Sequence, residues 1–186
     1  MKSYKGWRCL YARSGSRLTR GRICRLVSST ATVPVSPSHA TKLLGASRTR
    51  SELLALVEKA AVLRLADGVV TAAAMRQCAL LNRRSTSSEE AQGGSDVTSS
   101  GRRWSLLLKL VHGHMTSYGP RELASISWSL AIMRCSTDAV ELSESISCRM
   151  CMLAEEASLR HWANITWSAA TLRWQSPALL SAAADA

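Results

Sequence analysis

Phenylalanine is absent from the 186 residues, and no run of apolar residues approaches the roughly 20 that a membrane-spanning helix requires. We therefore expect no membrane span. The first charged residues are not followed by a continuous apolar segment either, so the sequence lacks the pattern of a secretory signal peptide.

Acidic residues are absent before Glu52, whereas residues 1–51 contain eleven lysines and arginines. An N-terminus that is rich in arginine and serine and free of acids is typical of an organelle transit peptide. We expect a disordered targeting segment over residues 1–40, and location in the mitochondrion or, alternatively, the plastid. A basic arm that binds RNA or membranes without specificity is the other interpretation. Residues 52–186 carry 13 basic and 13 acidic side chains, so the folded part is expected to be neutral.

Motifs for nucleotide binding and nucleophilic catalysis are also missing, since no G-x-x-x-x-G-K-[ST], G-x-G-x-x-G or G-x-S-x-G occurs. Cys148 and Cys151 form a single C-x-x-C, but a zinc site needs four ligands and no second pair is present. His112 and His114 are interpreted as part of a solvated helix end. We predict that the protein is not an enzyme and has no cofactor, metal or small-molecule substrate.

Apolar residues at helical spacing are what the chain does contain. Thr49 and Glu52 form a capping-box pattern before one helix, and Asp67-Gly68 separates it from a second. Together they predict a first helical hairpin over residues 41–84. A segment rich in serine and glycine at 85–103 predicts a flexible linker.

Residues 104–186 predict further helices, so the fold class is all-α. One helix covers 104–111, and Pro120 fits the first position of the next. Another spans roughly 139–155, with Ser136, Thr137 or Asp138 as its N-cap. A further helix spans 159–173. Pro177 begins a last helix close to the end of the sequence, a pattern typical of a truncated array.

An internal repeat relates residues 121–134 to residues 160–173, which are identical at seven of fourteen positions with an offset of 39. A period near 40 with two helices per unit predicts a short α-solenoid of antiparallel helix pairs. Residues 104–186 would then hold two repeats and the start of another. Trp128 and Trp167 recur in register, and we expect both to be buried anchors between neighbouring units.

The repeated helix resembles a known family. Residues 123–133 and 162–172 look like the leucine-, alanine- and tryptophan-containing helix of octotricopeptide repeats, which recurs in FAST-kinase-like and RAP-domain proteins of organelles. Residues 41–44 and 51–58 resemble the first helix of such proteins, and 71–81 match the following helix more loosely. No counterpart of the RAP domain is present. The resemblance implies RNA binding in an organelle, with a role in RNA processing or stability and no catalysis by this chain.

Candidate RNA-binding residues recur within the repeat. Four arginines at two pairs of matching positions would form one basic stripe that tracks phosphates, and polar residues at a third pair of positions could contact bases. Helix capping or simple solvation is the alternative interpretation of these residues. A protein-interaction scaffold is the alternative function, because solenoids also bind proteins. The predicted RNA-binding residues are Arg121, Ser125, Arg134, Arg160, Asn164 and Arg173.

Overall fold

The computed structural model describes residues 34–85 and 97–185, so most of the predicted targeting segment and residues 86–96 of the predicted linker lie outside the described residues. Within those two ranges the regular structure is helical and there is no strand. Two short 3₁₀ helices, Met115–Ser117 and Ala154–Glu156, connect longer elements. The α-helices are α1 (Pro37–Ala46), α2 (Arg50–Val62), α3 (Gly68–Ser85), α4 (Val97–Gly113), α5 (Pro120–Met133), α6 (Ser136–Met152), α7 (Leu159–Leu172) and α8 (Pro177–Ala184).

These helices form two layers. In the odd layer, α1 packs on α3, α3 on α5 and α5 on α7. In the even layer, α2 packs on α4 and α6 on α8, while each even helix also contacts an odd neighbour in the chain. The all-α helical-repeat fold predicted from the sequence is confirmed. None of the helices in the described part of the chain combines the length and hydrophobicity needed to cross a bilayer.

The repeat of 39 residues extends beyond the segment in which the sequence reveals it. The same spacing separates the starts of α4 and α6, of the two 3₁₀ helices, and of α5 and α7. α5 and α7 also end alike, because Arg134 and Arg173 both adopt the left-handed conformation, with φ of 53° and 57°. Each unit is therefore a pair of helices with a 3₁₀ connection.

Capping residues fix where the odd-layer helices begin. Ser36 Oγ accepts a hydrogen bond from His39 N (3.2 Å) at α1, Asp67 Oδ1 accepts one from Val70 N (2.8 Å) at α3, and Ser158 Oγ accepts one from His161 N (3.4 Å) at α7. At α5, Pro120 occupies the first position, where a missing N–H costs nothing. The four helices can therefore be compared position by position, counting from their first residues.

Positions 4, 7 and 11 of these helices face the even layer, because they share one side of a helix that turns 100° per residue. All nine such residues in α3, α5 and α7 are buried. They form the centre of the core and include one of the three tryptophans of the odd layer. They are Thr71, Ala74, Cys78, Leu123, Ile126, Leu130, Trp162, Ile165 and Ala169.

The prediction that Trp128 and Trp167 are buried anchors is wrong. Trp128 is half-buried and Trp167 is 47% exposed, whereas the buried tryptophans are Trp162 (3% exposed) and Trp174 (8% exposed). Trp128 and Trp167 occupy position 9, which lies about 160° around the helix from the mean direction of positions 4, 7 and 11. Their recurrence in register is real, but their side chains point away from the core.

Several predicted boundaries also need correction. α1 begins at Pro37, inside the predicted 1–40 segment, because the Ser36 cap and the proline together start a helix there. The predicted 85–103 linker is too long, since α3 runs to Ser85 and α4 starts at Val97. Val97 to Arg103 show no apolar periodicity, so no pattern indicates a helix in that stretch. An ion pair between Arg103 Nε and Glu58 Oε2 (2.9 Å) joins α4 to α2.

The predicted N-cap of α2 is confirmed, whereas that of α6 is wrong. Thr49 Oγ1 accepts from Glu52 N (3.2 Å) as the capping-box pattern predicts, although Glu52 Oε2 accepts from Arg48 N (3.0 Å) rather than from the cap residue. The prediction of an N-cap within residues 136–138 is wrong. α6 already includes Ser136, and its N-cap is Cys135, which makes no side-chain capping bond.

Candidate nucleic-acid interface

A groove of about 680 Å³ crosses the odd layer on the side opposite the core. Its lining comes almost entirely from positions 2, 5, 6 and 9 of the helices, which share one face of a helix at this spacing. We call this surface the odd-layer groove. Its lining residues are Thr41 of α1, Val69, Ala72, Ala73 and Arg76 of α3, Arg121, Glu122, Ala124, Ser125 and Trp128 of α5, and Arg160, His161 and Asn164 of α7.

The odd-layer groove is basic. Arg76, Arg121 and Arg160 are exposed within it, and Glu122 is its single acid, so these groups give a net charge of +2 with neutral histidine. In residues 34–85 and 97–185 no carboxylate forms an ion pair with any of the three guanidinium groups. They are therefore available to an anionic ligand.

Glu122 and His161, both at position 3, are engaged in capping their helices. Glu122 Oε2 accepts a hydrogen bond from Gly119 N (3.2 Å), and His161 Nδ1 accepts one from Ser158 N (3.2 Å). This engagement holds both side chains at the helix starts, next to Arg121 and Arg160. The Glu122 carboxylate is thus hydrogen-bonded within the protein, and its charge is already counted in the net +2 of the groove.

The two first-turn arginines are placed against the electrostatic preference of their helices. A cation near a helix N-terminus is disfavoured by the helix dipole, by about 0.3–1 kcal/mol. Arg121 and Arg160 both occupy position 2, so each helix carries this penalty. A bound anion would reverse it, because the anion interacts favourably with both the guanidinium and the helix end.

Ser125 and Asn164 supply neutral polar groups at position 6, one turn from the arginines. Both residues are half-buried. The main-chain carbonyl of Ser125 accepts a hydrogen bond from Ser129 Oγ (2.7 Å), and that of Asn164 accepts one from Ser168 Oγ (2.6 Å). These bonds do not use the Ser125 hydroxyl or the Asn164 side-chain amide. Across the described ranges, no hydrogen bond involves either of these two side-chain groups.

Four of the six predicted RNA-binding residues therefore share the odd-layer groove, while Arg134 and Arg173 do not. These two arginines terminate α5 and α7, about 20 Å along the helix axis from position 2. Arg134 N donates to Ala131 O (3.1 Å) and Arg173 N to Ala170 O (3.3 Å), as part of the helix-ending turn. The prediction of one continuous stripe of four arginines is wrong, because the recurrence at 134 and 173 belongs to the helix ends.

Sequence reasoning missed Arg76, Thr41 and the role of Trp128 in the odd-layer groove. Arg76 occupies position 9 of α3, the position held by tryptophan in α5 and α7. The starts of α3 and α5 (Gly68 and Pro120) are 52 residues apart, so a search at the 39-residue offset cannot align them. Only the helix starts, fixed by their caps, reveal this equivalence.

The thiols and imidazoles singled out in the sequence do not gather into a metal site. Cys148 is exposed, and Cys151 Sγ donates to Ala178 O (3.7 Å), with its pKa raised by burial and by the neighbouring Cys148. His114 Nε2 lies 2.8 Å from Ala66 O. Among the residues with described side chains, no group of three or more histidines, cysteines or acids could hold a metal ion.

Comparisons with protein-family models, with curated proteins and with solved structures find no match for this chain. The fold and the odd-layer groove therefore define the class on their own. The chain is an all-α helical-repeat protein in which repeated helix positions line a basic surface groove.

Proposed function

We propose that this protein is an octotricopeptide-like RNA-binding protein of an organelle, with a role in RNA processing or stability and without catalysis of its own. The observation that carries the proposal is the meeting of Arg76, Arg121 and Arg160 in one groove beside the unpaired polar groups of Ser125 and Asn164. Arginine binds phosphate through two donors at once, and serine and asparagine bond to base edges.

The charge distribution supports this proposal more than the total charge does. Residues 52–186 are neutral overall, so an excess of positive charge in one groove is a local feature. Phosphate contacts dominate the affinity of proteins for nucleic acids, and they are made by such local clusters. The basic and acid-free first 51 residues support an organelle location, in the mitochondrion or the plastid.

Fluorescence anisotropy with a labelled oligouridine of about 12 nucleotides tests RNA binding by the full chain. Two triple variants each lose three positive charges: Arg76→Gln/Arg121→Gln/Arg160→Gln in the groove, and Arg64→Gln/Arg102→Gln/Lys109→Gln on exposed positions outside it. Each phosphate contact on single-stranded RNA contributes about 0.7 to the slope of log affinity against log salt, so loss of the contacts of Arg121 and Arg160 should make the slope less steep by about 1.4 in the groove variant, and by about 2 if Arg76 also contacts a phosphate. The outside variant should keep the slope of the unmodified chain.

Equal salt slopes for the two triple variants would contradict the proposal, because the groove arginines would then contribute no more than any surface charge. Circular dichroism of both variants checks that the helices remain folded. The basic N-terminal segment is present in all three proteins, so its non-specific contribution to the binding is the same in each.

A protein-interaction scaffold is the second candidate, and exposed apolar side chains favour it. Leu159 (74% exposed) and Trp167 (47% exposed) lie in α7, and Leu180 (54% exposed) lies in α8. Exposed large apolar residues are common at sites that bind proteins. Capture of a defined partner from an organelle extract, unchanged by nuclease and by the groove triple variant, would favour the scaffold over RNA binding.

A further inference from the structure

Position 9 of the odd-layer helices carries planar side chains in three successive helices. They are Arg76 in α3, Trp128 in α5 and Trp167 in α7, and we call them the planar row. Arg76 and Trp128 line the odd-layer groove, and Trp167 continues the same position on the next helix. A guanidinium and two indoles have in common a flat face on which another ring can stack.

Packing does not account for the recurrence of tryptophan in this row. Neither Trp128 nor Trp167 belongs to the core cluster, and in α7 the core tryptophan is Trp162, which is buried. Trp167 leaves nearly half of its surface in water, and Trp128 is only half-buried. A tryptophan at this position gains less from burial than one in the core, so burial does not explain why it recurs.

We propose that the planar row is a stacking platform for unpaired bases, so that the ligand of the odd-layer groove is single-stranded RNA. This inference rests on the proposed RNA binding and names the form of RNA that is bound. Aromatic side chains and arginine guanidinium planes bind splayed-out bases in single strands. In a double helix the base faces are stacked on each other, and a flat side chain cannot reach them.

The geometry of the groove defines the path of such a strand across the helices. The arginines of position 2 lie seven residues from position 9 on the same helix face, about 10 Å along the axis. Neighbouring helices are about 8–10 Å apart, so the planar row runs across α3, α5 and α7, and the position-2 arginines, Arg121 and Arg160, form a parallel line across α5 and α7. A strand that crosses the helices places its bases on the planar row and its phosphates towards Arg121 and Arg160.

Substitution of Trp167 tests the platform, because this ring is exposed and its loss leaves the core intact. Anisotropy is measured on the full chain with the labelled oligouridine and with a blunt-ended, fully paired RNA duplex of the same length. We expect Trp167→Ala to weaken binding of the single strand about fivefold or more, and Trp167→Phe to retain most of the affinity. The salt slope should not change, because no charge is lost. Met152→Ala, which shortens another exposed apolar side chain outside the groove, is the matched control and should have no effect.

The outcomes separate this inference from the proposed function. If the unmodified chain binds RNA with the arginine-dependent salt slope but Trp167→Ala binds as tightly as Trp167→Phe, the platform is wrong and RNA binding stands. Equal affinity for the paired duplex and the single strand would also overturn the platform. If the groove triple variant has the same salt slope as the unmodified chain with both the single strand and the paired RNA, both proposals fail. A second variant, Trp128→Phe against Trp128→Ala, repeats the test within the groove.

Discussion

Cys78 illustrates how a single side chain couples burial to the dependence of stability on pH. The residue is fully buried at position 11 of α3. Burial raises the pKa of its thiol to about 12, with the nearby Arg50 acting in the opposite direction and Cys135 adding to the rise. Since the folded chain holds the proton more tightly than the unfolded chain, this contribution to stability is complete below pH 9.0 and is lost as pH rises towards 12.

We therefore predict that the free energy of unfolding falls between pH 9.0 and 10.0, by roughly 1 kcal/mol per pH unit. Above that range Tyr118 adds to the loss, because burial raises its pKa to about 12. Urea unfolding of the full chain at several pH values measures the slope. Cys78→Ala should be less stable at pH 8 but should flatten the slope below pH 10, whereas an unchanged slope in this variant would show that another group titrates.

Ser129 and Ser168 show at the level of the helix how the odd layer packs closely. Both occupy position 10 and are fully buried, and each hydroxyl donates to a carbonyl one turn earlier in its own helix. A serine bonded in this way presents a small surface to a neighbouring helix. Its recurrence in α5 and α7 is explained by packing, in contrast to the recurrence of tryptophan one position earlier.

Ser129→Leu should therefore destabilise the protein by about 1–3 kcal/mol or more, because the interior cannot accept the added volume without strain. Ser129→Ala should cost less than about 1 kcal/mol, since it removes only a local hydrogen bond. Chemical denaturation monitored by circular dichroism measures both. Ser105 in α4 makes the same kind of local bond to Gly101 O (3.1 Å) but is exposed, so Ser105→Leu is the matched control. Comparable losses at residues 105 and 129 would contradict the packing argument.

The helices themselves and the core side of α5 could be predicted from the sequence, but the side on which its tryptophan lies could not. Pro120 and the spacing of Leu123, Ile126 and Leu130 indicate a helix and its core side, and all three apolar residues are buried. The recurrence of Trp128 in register predicts a buried anchor, because a repeated tryptophan is most simply explained by packing. The indole instead lies on the far side of the helix, on the face that lines the odd-layer groove.

The candidate groove could be predicted only where the repeat was visible. Arg121, Ser125, Arg160 and Asn164 belong to the segment with 39-residue identity, and all four line the groove. Arg76 lies in a helix whose start is 52 residues from that of α5, so sequence spacing concealed its equivalence. Arginine recurs at positions 134 and 173 for a different reason, since both residues end a helix in the left-handed conformation.

At the scale of the whole molecule, charge divides the chain into two parts with different predicted roles. Eleven basic residues and no acid lie in residues 1–51, while residues 52–186 are neutral. The cationic part suits recognition by an organelle import system, and the groove in the neutral part suits RNA. If this division holds, the two functions should be separable by mutation, because they use different arginines.

We predict that replacing Arg8, Arg13, Arg17, Arg20 and Arg22 with glutamine abolishes import of a fusion to a fluorescent protein, whereas replacing them with lysine preserves it. Import peptides need positive charge and amphipathic character more than a particular cation. Microscopy with mitochondrial and plastid markers measures the location. The groove triple variant, which loses Arg76, Arg121 and Arg160, should be imported normally. Equal localisation of the glutamine and lysine fusions would show that the basic segment does not direct import, and its charge would then be available to bind RNA without specificity.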